Sequence, residues 1–320
     1  MLQRLSLALA LFAALPAAQA QEAFPTRPIR FVVPFAPGGS NDFVARLMAP
    51  RMAATLGQPV VIETRSGAGG VTGVELAAKA PADGHTVALG TTGAIVIGPS
   101  LMAPPPFNPQ RDLAPITLAM NVQVPVVVPA RSPFRSLGDL IAAAKARPGT
   151  ITFGSSGAGS MPHLTGELIA QMAGVRLVHV PYRGGGPVGT ALLAAEVDSG
   201  LSDMPVFLPH HRAGTLRIIA VGSPQRLPFL PEVPTLAESG LGQIETSNWH
   251  GLVTAGAVPE AVLVKLHAAA AALHEPEVVR VITEQGMEPV GGSRADFAAL
   301  IRADTLKWAE VIRRGNIRPE

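Results

Sequence analysis

The sequence predicts an α/β fold built as two lobes of similar local design. Three observations carry that prediction. From Pro28 onward, short β-rich runs alternate with segments of helical period. Loops rich in glycine, proline and serine separate them. The same unit of strand, glycine loop and helix also recurs on both sides of a proline-rich stretch, Ala103 to Ile116. Successive units of this kind require parallel strands, because their helical crossovers must cover both faces of a sheet. They also place the glycine loops at the carboxyl edge of the strands, where open α/β sheets bind ligands.

The first strand is "IRFVVPF" (Ile29 to Phe35), which leads through "APGGSND" into the helix "FVARLMAPRMAATLG". Val44, Leu47, Met48 and Met52 recur there at helical spacing and mark its apolar face. "PVVIE" leads through "TRSGAGG" into "VTGVELAAKA", and "HTVALG" leads into "TTGAIV". The proline-rich stretch reads as an extended surface segment. After it "VPVVVPA" (Val124 to Ala130) is a strand. "SLGDLIAAAKARPG" follows as a helix with Ser136 as N-cap, an apolar face at Leu137, Leu140 and Ile141, and Pro-Gly as its stop. "TITFGSSGAGSMPHLTGELIAQMAG" and "RLVHVPYRGGGPVGTALLAAEV" repeat the unit, and "LRIIAVGS" adds one more strand. The C-terminal part is helical without glycine loops and reads as scaffold. No residue-by-residue repeat relates the two sets of units.

Composition limits the function. A chain of 320 residues accommodates two medium domains with real cores. Its net charge is +2, with no run of like charges and no basic stretch interleaved with aromatics, which argues against nucleic acid as a partner. With no cysteine, it has no disulfide, thiolate nucleophile or thiolate metal site. Arg4, the apolar stretch Leu5 to Leu15, Pro16 and Ala18-Gln19-Ala20 together read as a secretory signal peptide cleaved after Ala20. That apolar stretch is about half the roughly 20 residues a membrane span needs.

The loops carry the chemistry. A helix N-terminus offers backbone N–H groups without partners and about half a positive charge, and glycine lets a ligand approach the backbone. "APGGSND", "SGAGG" and "GSSGAGS" therefore each suit an oxyanion such as a carboxylate. The plainer reading of any one loop is a helix entry capped by Ser40, Asn41 or Asp42. Several such loops at one sheet edge favour the ligand.

Catalytic patterns fail. Ser156 follows Gly154 at the offset of a nucleophile elbow, but Ala158 stands where the second glycine is required. No lysine follows a glycine, which removes a Walker-type phosphate loop. Gly184, Gly186 and Gly189 match G-x-G-x-x-G with Asp203 downstream, yet Tyr182 and Arg183 intervene after the strand and Pro187 interrupts the motif. The adjacent His210 and His211 read as solvated or capping residues, not as metal ligands. His163 either faces the same space as "GSSGAGS" or is a hydrogen-bonded structural histidine. Asp203 either receives a ligand donor or caps a turn. Trp249 and Trp308 read as packing residues. No catalytic residue, metal ligand or cofactor is expected.

Seven stretches together resemble one known family. "PFAPGGSNDFVAR", "RSGAGGVTG", "APADGHTVALGTTG", "GSSGAGSMPHLTGELI", "VPYRGGGPV", "RIIAVGSPQRLPFLPEVPTLAESG" and "WHGLVTAGAVP" are similar, in order and spacing, to the signature blocks of the Bug proteins. These are the periplasmic solute-binding components of tripartite tricarboxylate transporters. The resemblance spans residues 27 to 320. It implies a periplasmic binding protein of the type II-like, Venus flytrap kind, each lobe a mostly parallel sheet flanked by helices. Lobe 1 would comprise residues 21–121 and 247–320, and lobe 2 residues 122–246. The crossings would fall near Leu118 to Gln123 and Glu245 to Trp249.

The resemblance also implies a monomeric, non-enzymatic protein. It would hold a small organic carboxylate mainly on backbone amides and ordered water and deliver it to membrane transporter subunits. The alternatives to that reading are a ligand-sensing subunit that docks on a sensor kinase ectodomain and an exported α/β enzyme. The implied ligand-binding residues are Phe35, Pro37, Gly38, Gly39, Ser40, Asp42, Thr91 and Thr92 from one lobe. Ser155, Ser156, Gly157, Gly159, Ser160 and His163 would come from the other, with Tyr182 and Asp203 nearer the variable end of the ligand. The chain departs from the family pattern at Thr64, Ser66, Gly98 and Ala191.

Overall fold

The computed structural model describes residues 24–242, 246–315 and 317–318. The expected signal peptide lies outside the described residues. The first half of the chain builds β1 (Ile29–Val33), α1 (Ser40–Leu56), β2 (Val60–Thr64), α2 (Val71–Ala78), β3 (Thr86–Thr91), α3 (Gly98–Leu101) and β4 (Leu113–Gln123). The second sheet and its helices follow as β5 (Pro125–Pro129), α4 (Leu137–Ala146), β6 (Thr152–Ser155), α5 (Met161–Ala173), β7 (Val178–Pro181), α6 (Gly185–Ala194), β8 (Ser199–Leu201), α7 (Met204–Arg212) and β9 (Leu216–Val221). The chain then returns through β10 (Ser247–Ala255), α8 (Glu260–Ala270), α9 (Pro276–Glu284), β11 (Met287–Pro289) and α10 (Arg294–Gly315).

The first sheet has the order β11-β4-β10-β3-β1-β2 and the second β7-β6-β8-β5-β9. The expected strand–loop–helix units form the parallel parts, β2-β1-β3 and β7-β6-β8. The remaining pairings are antiparallel, so each sheet is mixed, with a parallel ligand edge. The crossing strands cause this. β10 re-enters the first sheet between β3 and β4, antiparallel to both.

Leu118 to Gln123, expected as the first crossing, lies inside β4; the chain passes between the sheets at Val124. The return runs through Thr246, whose N–H donates to the Gly222 carbonyl and whose hydroxyl donates to the Val124 carbonyl. The two crossings therefore touch.

Strand alternation explains the packing. In β1, Ile29, Phe31 and Val33 enter one apolar cluster with Met48 and Met52 of α1, while Val32 enters the other with Val71 and Val74 of α2. Both faces are covered, as parallel strands require. Ser136 caps α4 as expected: its hydroxyl accepts from the Asp139 N–H at 3.2 Å, and Asp139 accepts from the Ser136 N–H at 2.9 Å. Leu137 and Leu140 are buried, while Ile141 is half-buried.

Four elements were missed from sequence: β4, α7, β10 and β11. The end of the proline-rich stretch is not surface coil, because Leu113, Ala114 and Ile116 are buried in β4. α7 was hidden by two prolines. Pro205 stands in its first turn, where no N–H is needed, and Pro209 meets Pro205 one turn back. The edge strand β11 has only three residues, too few for a periodic signal.

Candidate functional site

The carboxyl ends of the parallel strands in both sheets face each other across a cleft. Loops after β1, β2 and β3 meet loops after β6, β7 and β8, and the approach is backbone to backbone. The Ala36 N–H donates to the Arg183 carbonyl at 2.8 Å. A Cβ placed on Gly38 would lie 3.5 Å from Gly186 Cα, and one on Gly93 would lie 2.8 Å from the Met161 amide nitrogen. Gly69 packs on the Ala158 carbonyl, and Gly157 approaches Gly69 in return. At Gly69 and Gly93 a side chain larger than hydrogen would hold the two halves apart.

Inside this seam lies a chamber whose empty volume, including its open mouth, is about 330 Å³. Four helices begin at its wall. Gly39, Ser40 and Asn41 open α1, and Ser160, Met161 and Pro162 open α5. Gly185 opens α6, and Ser202 and Asp203 precede α7. Each start presents amides its own helix does not use and the positive end of its dipole. Phe35, Thr91, Ser156 and Asn248 complete the lining.

A second space of about 800 Å³, including its mouth, shares Phe35 and Ser156 with the first. Its walls are the Ser66–Gly70 loop, Gly157, Ala158, Pro181, Tyr182 and Arg183. Burial, and then the nearby Glu196 carboxylate, raise the Tyr182 phenol above its ordinary pKa.

Among the described residues Asp203 is the one acid in the wall of the inner chamber, and it is fully engaged. One oxygen accepts from the Ser40 hydroxyl and lies 3.0 Å from His250 Nε2. The other accepts from Asn248 Nδ2 at 2.8 Å. Burial alone would raise its carboxyl. Attraction to His250 and hydrogen bonds from His250, Ser40 and Asn248 outweigh that and hold it below the ordinary aspartate value. Because Asp203 follows β8 in the second sheet while Asn248 and His250 lie on β10 of the first, this network ties the two halves together. It stands at the inner chamber, while Tyr182 lines the second space.

The other expected residues divide by role. Phe35, Gly39, Ser40, Thr91, Ser156, Ser160 and Asp203 line the inner chamber, and Gly157 and Tyr182 line the second. Pro37 and Gly38 lie outside both, on the outer rim with Gly186. Asp42 turns back on its own helix, accepting from the Gly38 N–H and from Arg46. Thr92 accepts from the Trp249 N–H at 3.0 Å.

Three others shape the second-lobe loop from beneath. Ser155 bonds His179 Nε2 at 2.6 Å and accepts from the Gly157 N–H. His163 Nδ1 accepts from the Gly159 N–H at 3.2 Å and its ring stacks on His179 at 4.2 Å. His163 is thus the structural histidine of the two readings. Gly159 packs against Gly98 of the first lobe.

Asn41, Ser202, Asn248 and Gly185 were not singled out as ligand contacts by the sequence. Asn41 stood in the right loop but was read only as a cap. Asn248 adjoins Trp249, and nothing in a strand of buried residues marks which one faces a cleft. His210 and His211 serve the end of α7, bonding Thr215 and Glu232. Among the described residues no cluster of histidine and acidic side chains suits a metal.

Two α/β halves, joined by two touching crossings and closed on a chamber ringed by helix N-termini, define a Venus flytrap binding fold. Residues 44–317 match the family model of the tripartite tricarboxylate transporter family receptor, TctC, and the chain belongs to that family. It is 36% identical to protein BugT of Bordetella pertussis over 91% of this chain and 90% of that one. Among solved structures it resembles Rhodopseudomonas palustris Rpa4515 with adipate, at a TM-score of 0.87 and 34% identity, covering 93% of this chain and 100% of the other. It also resembles MatC from Rhodopseudomonas palustris with bound malate, at a TM-score of 0.86 and 30% identity, covering 90% and 100%.

Proposed function

We propose that this protein is a periplasmic solute-binding protein that captures a small organic carboxylate between its lobes and hands it to a tripartite-type membrane transporter. The observation that carries this reading is the convergence of four helix starts on one chamber whose only acid among the described residues, Asp203, is already paired. Such a wall favours an anion without a basic side chain. Its hydroxyls, from Ser40, Ser156 and Ser160, add neutral donors. The malate and adipate held by the two similar proteins are of the same chemical class.

The lobes, residues 21–123 with 247–320 against 124–246, close by bending at Val124 and Thr246, where the chain crosses between sheets. Closure excludes water and so strengthens each amide–carboxylate bond. The cycle needs no covalent step, and the protein binds without turnover. A sweep of carboxylic acids and their matching amides in thermal unfolding tests the reading. An acid at about 100 times its dissociation constant should stabilise the protein by about 2.7 kcal/mol, while its amide should not. Equal shifts with acid and amide would refute it.

A further inference from the structure

We propose that the inner chamber also recognises a hydrogen-bond donor close to the ligand's carboxylate, a hydroxyl or an ammonium, through the side-chain oxygen of Asn248. The inference rests on the carboxylate reading and narrows it to 2-hydroxy or 2-amino acids, as against plain acids.

Asn248 lies on β10 in the chamber wall and is 4% exposed. Its amide orientation is fixed chemically. An ionised carboxylate only accepts, so the group 2.8 Å from Asp203 Oδ1 must be the Asn248 NH₂. Asp203 is itself held by Ser40 and His250, so the Asn248 carbonyl oxygen has a set direction. That oxygen is buried and receives no hydrogen bond from any donor among the described residues.

Asn41, in the first turn of α1, is 3% exposed, lines the same chamber and has a buried side-chain oxygen in the same condition. A buried acceptor left unpaired is costly, and a ligand that supplies a donor removes that cost.

The chamber thus presents two kinds of group to one small ligand. Helix-start amides and serine hydroxyls offer donors, which a carboxylate satisfies. Asn248 and Asn41 offer acceptors, which a carboxylate cannot satisfy. A donor carried beside the carboxylate meets both sets at once.

The test uses matched acids on the purified protein by isothermal titration: succinate, malate and aspartate, and phenylacetate, mandelate and phenylglycine. The hydroxy or the amino member of at least one series should bind at least about tenfold more tightly than its plain acid. Asn248→Ala should cut that preference to within about threefold, and the ratio in the unaltered protein stands even if the variant folds poorly. A preference for hydroxyl over ammonium, or the reverse, identifies which donor the site takes. Equal binding within each series would overturn the proposal while leaving the carboxylate reading intact. Preference for the plain acids would do the same. Binding of none of the six, with folding verified, would overturn both.

Discussion

Adding a single methyl at Gly93 separates closure from folding. Its Cβ would stand 2.8 Å from both the amide nitrogen of Met161 and Cα of Ser160, which are backbone atoms of the opposite lobe. Backbone at a helix start cannot swing aside as a side-chain tip can, so the lobes must part by several tenths of an ångström. Overpacking of this kind costs about 1–3 kcal/mol. Only the closed form bears it, because in the open form the seam is parted. At 1.4 kcal/mol per factor of ten, Gly93→Ala should weaken ligand binding by about 5- to 150-fold.

Gly186→Ala is the companion variant. Its methyl would strike the Pro37 carbonyl across the seam, while alanine in α6 favours the helix by up to about 1 kcal/mol. The unliganded variant should therefore unfold no earlier than the parent, yet bind more weakly. Gly138→Ala, on exposed α4 with only Ser136 Oγ at 3.5 Å, provides the control and should leave affinity unchanged. Titration calorimetry reads affinity, and small-angle scattering reads compaction on adding ligand. If Gly93→Ala and Gly186→Ala bind and compact as the parent does, the glycine seam is not the ligand-bound arrangement.

In the closed form Asp203→Ala would leave His250 and Asn248 buried without their partner, and should lower the stability of the ligand-saturated protein by about 3–5 kcal/mol in urea unfolding, the usual cost of breaking a buried pair from one side. Because the Asp203 carboxyl titrates below its ordinary value, its stabilisation is complete above about pH 4 and is lost as the pH falls through its folded value; the variant should lack that acid limb. His179 is pushed down to about 4 by burial, so the unfolded chain binds its proton more readily. Stability should therefore decline as the pH falls from about 6.5 towards 4, and His179→Gln should flatten that part of a urea-midpoint profile. Trp249→Phe removes the 2.7 Å bond from the indole to Asp304 and should cost about 1–2 kcal/mol in the same assay, with ligand affinity little changed.

The parallel units and their glycine loops were legible because period, turn residues and strand ends are local properties. Gly39, Ser40, Ser156 and Ser160 line the chamber, since a loop between a parallel strand and its helix can point only to the carboxyl edge. Antiparallel β10 was not legible as the strand that carries Asn248 and His250 into the site, because its pairing depends on contacts more than 150 residues away, such as His250 with Thr91. The role of Asp203 was hidden for the same reason. Its partners Ser40 and Asn248 lie 163 and 45 residues away in the chain. A local pattern shows an acid before a helix but not which lobe will neutralise it.

If the chamber is the proposed anion site, building it from helix starts has a consequence for release. In the closed form, α1 faces α5, α6 and α7 across the chamber, so the positive ends are contributed by both lobes. Opening at Val124 and Thr246 divides that set, leaving α1 on one side and three helix starts on the other, and admits water to every amide. An arginine would keep its full charge beside the anion on whichever lobe carried it, open or closed. Partial charges shared between lobes act together only while the cleft is shut, and dipoles lose most of their hold once solvated. The Ser40–Asp203 bond and the Asp203 contacts to Asn248 and His250 break in the same motion, since they also span the lobes. Grip on the ligand and attachment of the lobes are therefore lost together, and opening the lobes lowers affinity without any change in the ligand. On the proposed function, that coupling would make a membrane partner that favours the open form sufficient to draw the solute out.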